Sequence, residues 1–177
     1  QMVSWFDGSH LSKSPAQWDA AKLAWVNAQY IKARSDDALA PLVAAQLKKR
    51  GIEADDRLVA ICALFKDRCE TTVALADWAA AFYADVHASE ADRAQHITDA
   101  VKPAVATLAD KLSTLPTWDK ATIAAAIKET LAAHSLKMPA LAMPVRVLVM
   151  GTPQTPSLDA VLAIFSKEKI IERLKLA

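Results

Sequence analysis

Glycine occurs only three times in this 177-residue chain, at Gly8, Gly51 and Gly151. It is the default residue for hairpin turns and left-handed positions, so a chain nearly without it has few means of reversing β-strands. Alanine, leucine and lysine, which are abundant instead, lose little on entering a helix. The prolines fall mostly where helices should begin or break, as in Ser14-Pro15, Lys102-Pro103, Leu115-Pro116 and Thr155-Pro156. These features predict an all-α fold. The length allows a buried core in one domain or in two small helical ones. No stretch repeats at a fixed period, so an irregular helical bundle is expected rather than a solenoid.

Apolar spacing and end signals place the helices. The stretch DAAKLAWVNAQYIK, from Asp19, reads as a helix burying Leu23, Val26, Tyr30 and Ile31 on one face. Its start signal is Ser14 as N-cap, with Pro15 at the first helical position and Gln17 completing a capping box. Ser35 and two acids open the next segment, whose bases Lys48, Lys49 and Arg50 before Gly51 suit a helix C-terminus. Pro41 predicts that its regular part starts only near Ala40. From Asp55, Leu58, Ile61, Cys62, Phe65 and Cys69 recur at helical spacing and define a narrow apolar face. At 100° per residue, Arg68 lies about eighty degrees from the centre of that face, bordering the core.

Thr71 starts a helix carrying Leu75, Trp78, Ala79, Phe82, Tyr83 and Val86, whose aromatics share the spacing of their aliphatic neighbours and read as core. After a cap at Ser89, helices are expected through HITDAV and KPAVATLADKL, with Val101, Val105, Leu108 and Leu112 inward. Thr117 is expected to cap a helix containing Ile123, Ile127 and Leu131. Val145, Val147 and Val149 favour a strand, but no partner strand is near, so MPVRVLVMG is read as helical. Two short helices joined at Ser166 complete the chain.

The formal net charge is +1, so no strong basic field advertises nucleic acid. Residues 137–177 carry six bases against three acids, a weak pull toward an anionic partner. The two cysteines, Cys62 and Cys69, read as free core thiols of a protein in the reducing cytoplasm. No apolar run is long enough to span a bilayer, and no signal peptide is expected. His10, His87, His96 and His134 lack cysteine or carboxylate neighbours at metal-ligand spacing, and no nucleophile has an adjacent base. An independent enzyme is therefore disfavoured, which leaves a binding part or a helical protein-interaction module without RNA ligand.

The letters LSKS, residues 11–14, resemble the ATP-binding KMSKS loop of class I aminoacyl-tRNA synthetases. That loop uses two lysines on the triphosphate. Here only Lys13 is present, and His10, mostly neutral at pH 7, stands in the first lysine's place. Such an active site also needs a nucleotide-binding sheet before the loop, which the preceding residues cannot build. LSKS is accordingly read as part of a helix start.

Longer stretches resemble bacterial glutamyl-tRNA synthetase. SPAQWDAAKLAWVNAQYIKA is similar to that family's segment around a KLxWxNxxYI core, matched by Lys22, Leu23, Trp25, Asn27, Tyr30 and Ile31. MPVRVLVMGTPQTPSLDAVLAIFSKEKIIERL is similar to its PLRxALTG segment, followed by a TPGL-type turn and a last helix pair. DRCETTVALADWAAAFY resembles its helix with an arginine just before a T-L pair. The resemblance covers essentially the whole chain, in order.

It implies a tRNA-binding half whose catalytic half, with ATP and magnesium, is absent here, and no cofactor in this piece. Residues 1–33 would end a stem-contacting region, 34–80 form a first anticodon-binding helical subdomain, and 81–177 a second. By matching position, Arg68 and Arg146 would read the anticodon of glutamate tRNA, while Thr155, Pro156 and Leu158 would form the turn against which anticodon bases pack. The implied protein is cytoplasmic, monomeric and independent of membranes. Taken alone, each arginine reads as a surface ion-pair partner, Arg68 with Asp67 or Glu70; the resemblance reverses that assignment. Ser157 and Ser166 stand where the family carries glycine, and a left-handed residue at 157 would strain a serine.

Overall fold

A computed structural model of the chain describes residues 2–5, 7 and 17–177. Every regular element among them is helical. A short helix α1 (Met2–Trp5) precedes α2 (Ala20–Ala33), α3 (Asp36–Lys48) and α4 (Arg57–Phe65). A single 3-10 turn (Lys66–Arg68) leads to α5 (Thr72–Ala80), α6 (Glu90–His96) and α7 (Lys102–Ser113). Then follow α8 (Lys120–Ala133), α9 (Met138–Met150), α10 (Leu158–Ile164) and α11 (Lys167–Leu174).

Helix α3 packs on α4 and α5, α10 bridges α8 and α4, and α11 lies on α7 and α9. At the centre, Phe65 stacks on Trp78 and meets Phe82 edge-on, and Phe82 stacks on Phe165 with centroids 4.4 Å apart. Phe65 of α4, Phe82 of the turn after α5 and Phe165 of the link before α11 are buried, and Trp78 of α5 packs half-buried against them. The same holds for Leu58, Ile61, Cys62, Phe65 and Cys69, and for Val101, Val105, Leu108 and Leu112, all buried. The valine-rich MPVRVLVM is helical as expected, ending at Gly151 in the left-handed region with φ 72°. The last two helices meet at Ser166, whose hydroxyl accepts from the Lys169 amide at 3.3 Å.

Several local expectations are corrected. Ser14 and Pro15, like the LSKS letters, lie outside the described residues, but Gln17 precedes the helix and cannot be its N3 residue. Asp19 caps α2 instead, accepting from the Lys22 amide at 3.0 Å. On α2 the expected buried face is open. Leu23 is 52% and Tyr30 74% exposed, Val26 is half-buried, and only Ala28 and Ile31 reach the core. A helical period shows that an apolar face exists, not what covers it.

Helix α3 begins at Asp36, not near Ala40, with Pro41 inside it. The amide that proline lacks would have served the carbonyl of Asp37, which is exposed and can turn to solvent. Helix α4 stops at Phe65, and Cys69 follows the 3-10 turn in an extended conformation while still burying its thiol. Helix α5 stops at Ala80, so Phe82, Tyr83 and Val86 lie in the turn beyond it. No helix runs through residues 97–101, where Thr98 and Asp99 favour turns and Pro103 has no amide to offer a continuous helix. Finally, Asp119 rather than Thr117 caps α8, in a reciprocal capping box with Thr122. A carboxylate accepts the Thr122 amide there at 2.9 Å.

Candidate nucleic-acid interface

Arg68 ends the 3-10 turn after α4 and Arg146 stands on α9, near enough for the charge of the first to act on the second. Arg146 lies in the middle of α9, half-buried, and its Nη2 donates to the Pro156 carbonyl at 3.2 Å. The Thr155 hydroxyl donates to the same carbonyl at 3.0 Å, so one oxygen fastens both the 151–157 turn and the guanidinium. Arg146 Nε is shut off from solvent without a partner. Burial, and after it the charge of Arg68, holds Arg146 below the usual arginine range. Arg68 is itself exposed, at the end of the 3-10 turn, and pairs with neither Asp67 nor Glu70. The helix contact between α10 and α4 brings these two distant stretches together.

Arg68, Arg146, Thr155 and Pro156 thus share one neighbourhood. Leu158, the first residue of α10, turns into the core at 5% exposure and supports the turn from below. Thr155 and Pro156 are buried too. The serines standing for glycine cause no strain: Ser157 has φ −56° and Ser166 φ −69°, both ordinary for serine. The left-handed residue of this region is Gly151, where a Cβ would sit 3.5 Å from Val86 Cβ and the His87 carbonyl.

Two planar guanidinium forks of like charge in one neighbourhood lower their energy by meeting acceptors. Unpaired nucleobase edges and phosphate oxygens supply such acceptors, and an unpaired base can also stack on a guanidinium plane. Among the described residues, no three His, Cys, Asp or Glu side chains gather as a metal site would require, and no helix is long and apolar enough to cross a membrane. Cys62 and Cys69 are free and buried, and burial pushes both thiols up to about 11.

Sequence reasoning missed Arg173. It is 4% exposed and donates to the carbonyls of Ala81 at 3.0 Å and Ala84 at 2.8 Å, and also to that of Val149. Its guanidinium stands 5.0 Å from the centre of the Phe165 ring. It joins the ends of α5 and α9 to α11 and so supports the helix that carries Arg146. The available signal was its spacing, since Ile170, Arg173 and Leu174 share one helix face.

A family model described as an anticodon binding domain matches residues 37–177. The glutamate–tRNA ligase of Albidiferax ferrireducens is 63% identical over 175 residues, covering 99% of this chain and 38% of that protein. The glutamate–tRNA ligase of Paracidovorax citrulli is 60% identical, covering 100% of this chain and again 38% of the relative. The chain therefore spans well under half the length of these curated relatives. Among solved structures, a glutamate tRNA ligase from Elizabethkingia meningosepticum superposes with a TM-score of 0.85 at 23% identity, over 97% of this chain and 34% of the other. That last likeness is one of fold.

Proposed function

This chain belongs to the anticodon binding domain family, and we propose that it serves a longer glutamate–tRNA ligase by gripping the anticodon loop of glutamate tRNA. The observation that carries this reading is Arg146, half-buried with its Nε unpartnered and its Nη2 tied to the Pro156 carbonyl of the turn, within reach of the charge of the exposed Arg68. The remaining length of such a ligase would hold ATP and magnesium and attach glutamate to the tRNA. This part supplies recognition and no cofactor of its own. It would act in the cytoplasm, within a monomeric ligase.

The third anticodon base gives Arg68 something to discriminate. Glutamate tRNA has cytosine there, and the related glutamine tRNA has guanine. The Watson–Crick edge of cytosine offers O2 and N3, both acceptors, to an arginine fork. Guanine presents N–H groups at the corresponding edge, so donors would face donors and be buried unpaired. Glutamine at position 68 could donate or accept and would tolerate both bases. Arg146, tied to the Pro156 carbonyl, holds a second fork beside the first.

An electrophoretic shift tests the role. The chain should retard glutamate tRNA at concentrations that leave an unrelated tRNA free, with a shallow salt dependence because its net charge is only +1. Equal, steeply salt-dependent retardation of every tRNA, or none, would overturn it in favour of a protein-interaction module.

A further inference from the structure

The 3-10 turn that ends in Arg68 is tied down on both sides by polar contacts that leave Arg68 itself free. Two residues before it, Lys66 Nζ reaches the Arg34 carbonyl at 3.0 Å and the Asp36 carboxylate at 2.8 Å. Arg34 ends α2 and Asp36 begins α3, so Lys66 clamps the turn to the joint between those helices. Two residues after it, the Glu70 carbonyl accepts from Asn27 Nδ2, again on α2. That carbonyl lies in the extended link between the turn and Thr71, the cap of α5, where no helix supplies a partner. Beneath the turn, the buried Cys69 donates its amide to the Lys66 carbonyl at 3.2 Å.

We propose that Asn27 and Lys66 are positioning residues, through which α2 sets the place of the Arg68 guanidinium and hence the base preference of the anticodon site. This rests on the role of Arg68 proposed above. An arginine tip at the end of a long, flexible stem is only as well placed as its Cα. Here the Cα is flanked by the Glu70 carbonyl, which Asn27 holds to α2, and by Lys66, whose ammonium reaches the joint of α2 and α3. Asn27 is the sharper probe, because its amide carries no charge that could itself attract RNA. A helix-surface asparagine that merely staples α2 to the body would affect stability and leave base preference alone.

The test uses the whole 177-residue chain and two anticodon stem-loop RNAs differing only in cytosine or guanine at the third anticodon position. Asn27→Asp keeps the shape and replaces the donor with an acceptor facing the Glu70 carbonyl. It should lower the ratio of the two affinities about tenfold, mainly by weakening the cytosine loop. In an Arg68→Gln background the same change should leave the ratio unaltered, because the side chain being positioned is gone. Asn27→Ala, which removes the donor without adding charge, replaces Asn27→Asp should the latter lose its cooperative melt.

An unaltered ratio in the folded single variant, an equal loss for both loops, or the same drop in the Arg68→Gln background would each overturn the proposal. Should the unmodified chain show no preference for cytosine, the anticodon role fails first and the positioning role fails with it. A preference in the unmodified chain that Asn27→Asp leaves intact overturns the positioning role alone.

Discussion

Arg173 and Arg146 meet burial in opposite ways. Arg173 sends its donors to three carbonyls at helix ends, where a cation also suits the dipole. Replacing it with methionine keeps the volume and strands those carbonyls. The expected cost is about 3 kcal/mol or more, read as a lowered urea midpoint, because several charge-assisted bonds are lost together. An unchanged midpoint would contradict the role. Arg146→Met should cost much less, having one protein acceptor to lose.

The cysteines make a second residue-scale prediction. Their folded pKa, about 11, lies above the ordinary 9.0, so the folded state holds the thiol protons more tightly. Their contribution is intact below pH 9 and lost as pH rises toward 11, at up to ~1.4 kcal/mol per pH unit for each thiol. Replacing both with alanine should flatten the alkaline side of the stability curve; an equally steep fall would refute this. Tyr83, raised to about 12 by burial and by Asp55, titrates higher still. Reading residues from sequence worked where spacing decides burial, as at Cys62, and failed at Arg173, because charge alone suggests exposure.

At the scale of elements, helix ends separate what local chemistry fixes from what tertiary contacts fix. Ser89 and Thr71 cap their helices as their sequences predict, each hydroxyl accepting an amide at 3.0 Å. Thr117 and Asp119 compete two residues apart, and the carboxylate wins by closing a box with Thr122. Asp119→Ala should therefore cost about 1 kcal/mol and Thr117→Ala only a few tenths, measured by thermal melts. Equal costs would refute the assignment.

Gly151→Ala should cost about 1 to 2 kcal/mol from its left-handed backbone alone, the space around it being ordinary. The end of α5 was not readable locally. Its Ala81 carbonyl, and that of Ala84 just beyond, are taken by Arg173 from far along the chain. Likewise the exposed Leu23 and Tyr30 follow the periodicity of a buried face.

Across the whole molecule, glycine scarcity and helix-spaced apolar residues were enough to give the all-α class, because both act within a few residues. The candidate site was less accessible. Helical spacing set Arg68 at the border of a core face, but α4 ends at Phe65 and Arg68 stands exposed in the 3-10 turn instead; nor does anything local show that α10 packs on α4. Only the resemblance to a synthetase family singled out both arginines. The loss of one charged contact, worth about 1.5 to 3 kcal/mol, corresponds to one to two orders of magnitude in preference.

The most direct measurement is the ratio of affinities for glutamate-type anticodon loops with cytosine and with guanine at the third position, before and after Arg68→Gln. The fold survives that change, since Arg68 is exposed at the end of the 3-10 turn and the core is untouched. The predicted result is a cytosine preference that falls by one to two orders of magnitude with the circular dichroism melt unchanged. A preference that persists in the folded variant would show that Arg68 does not read the anticodon.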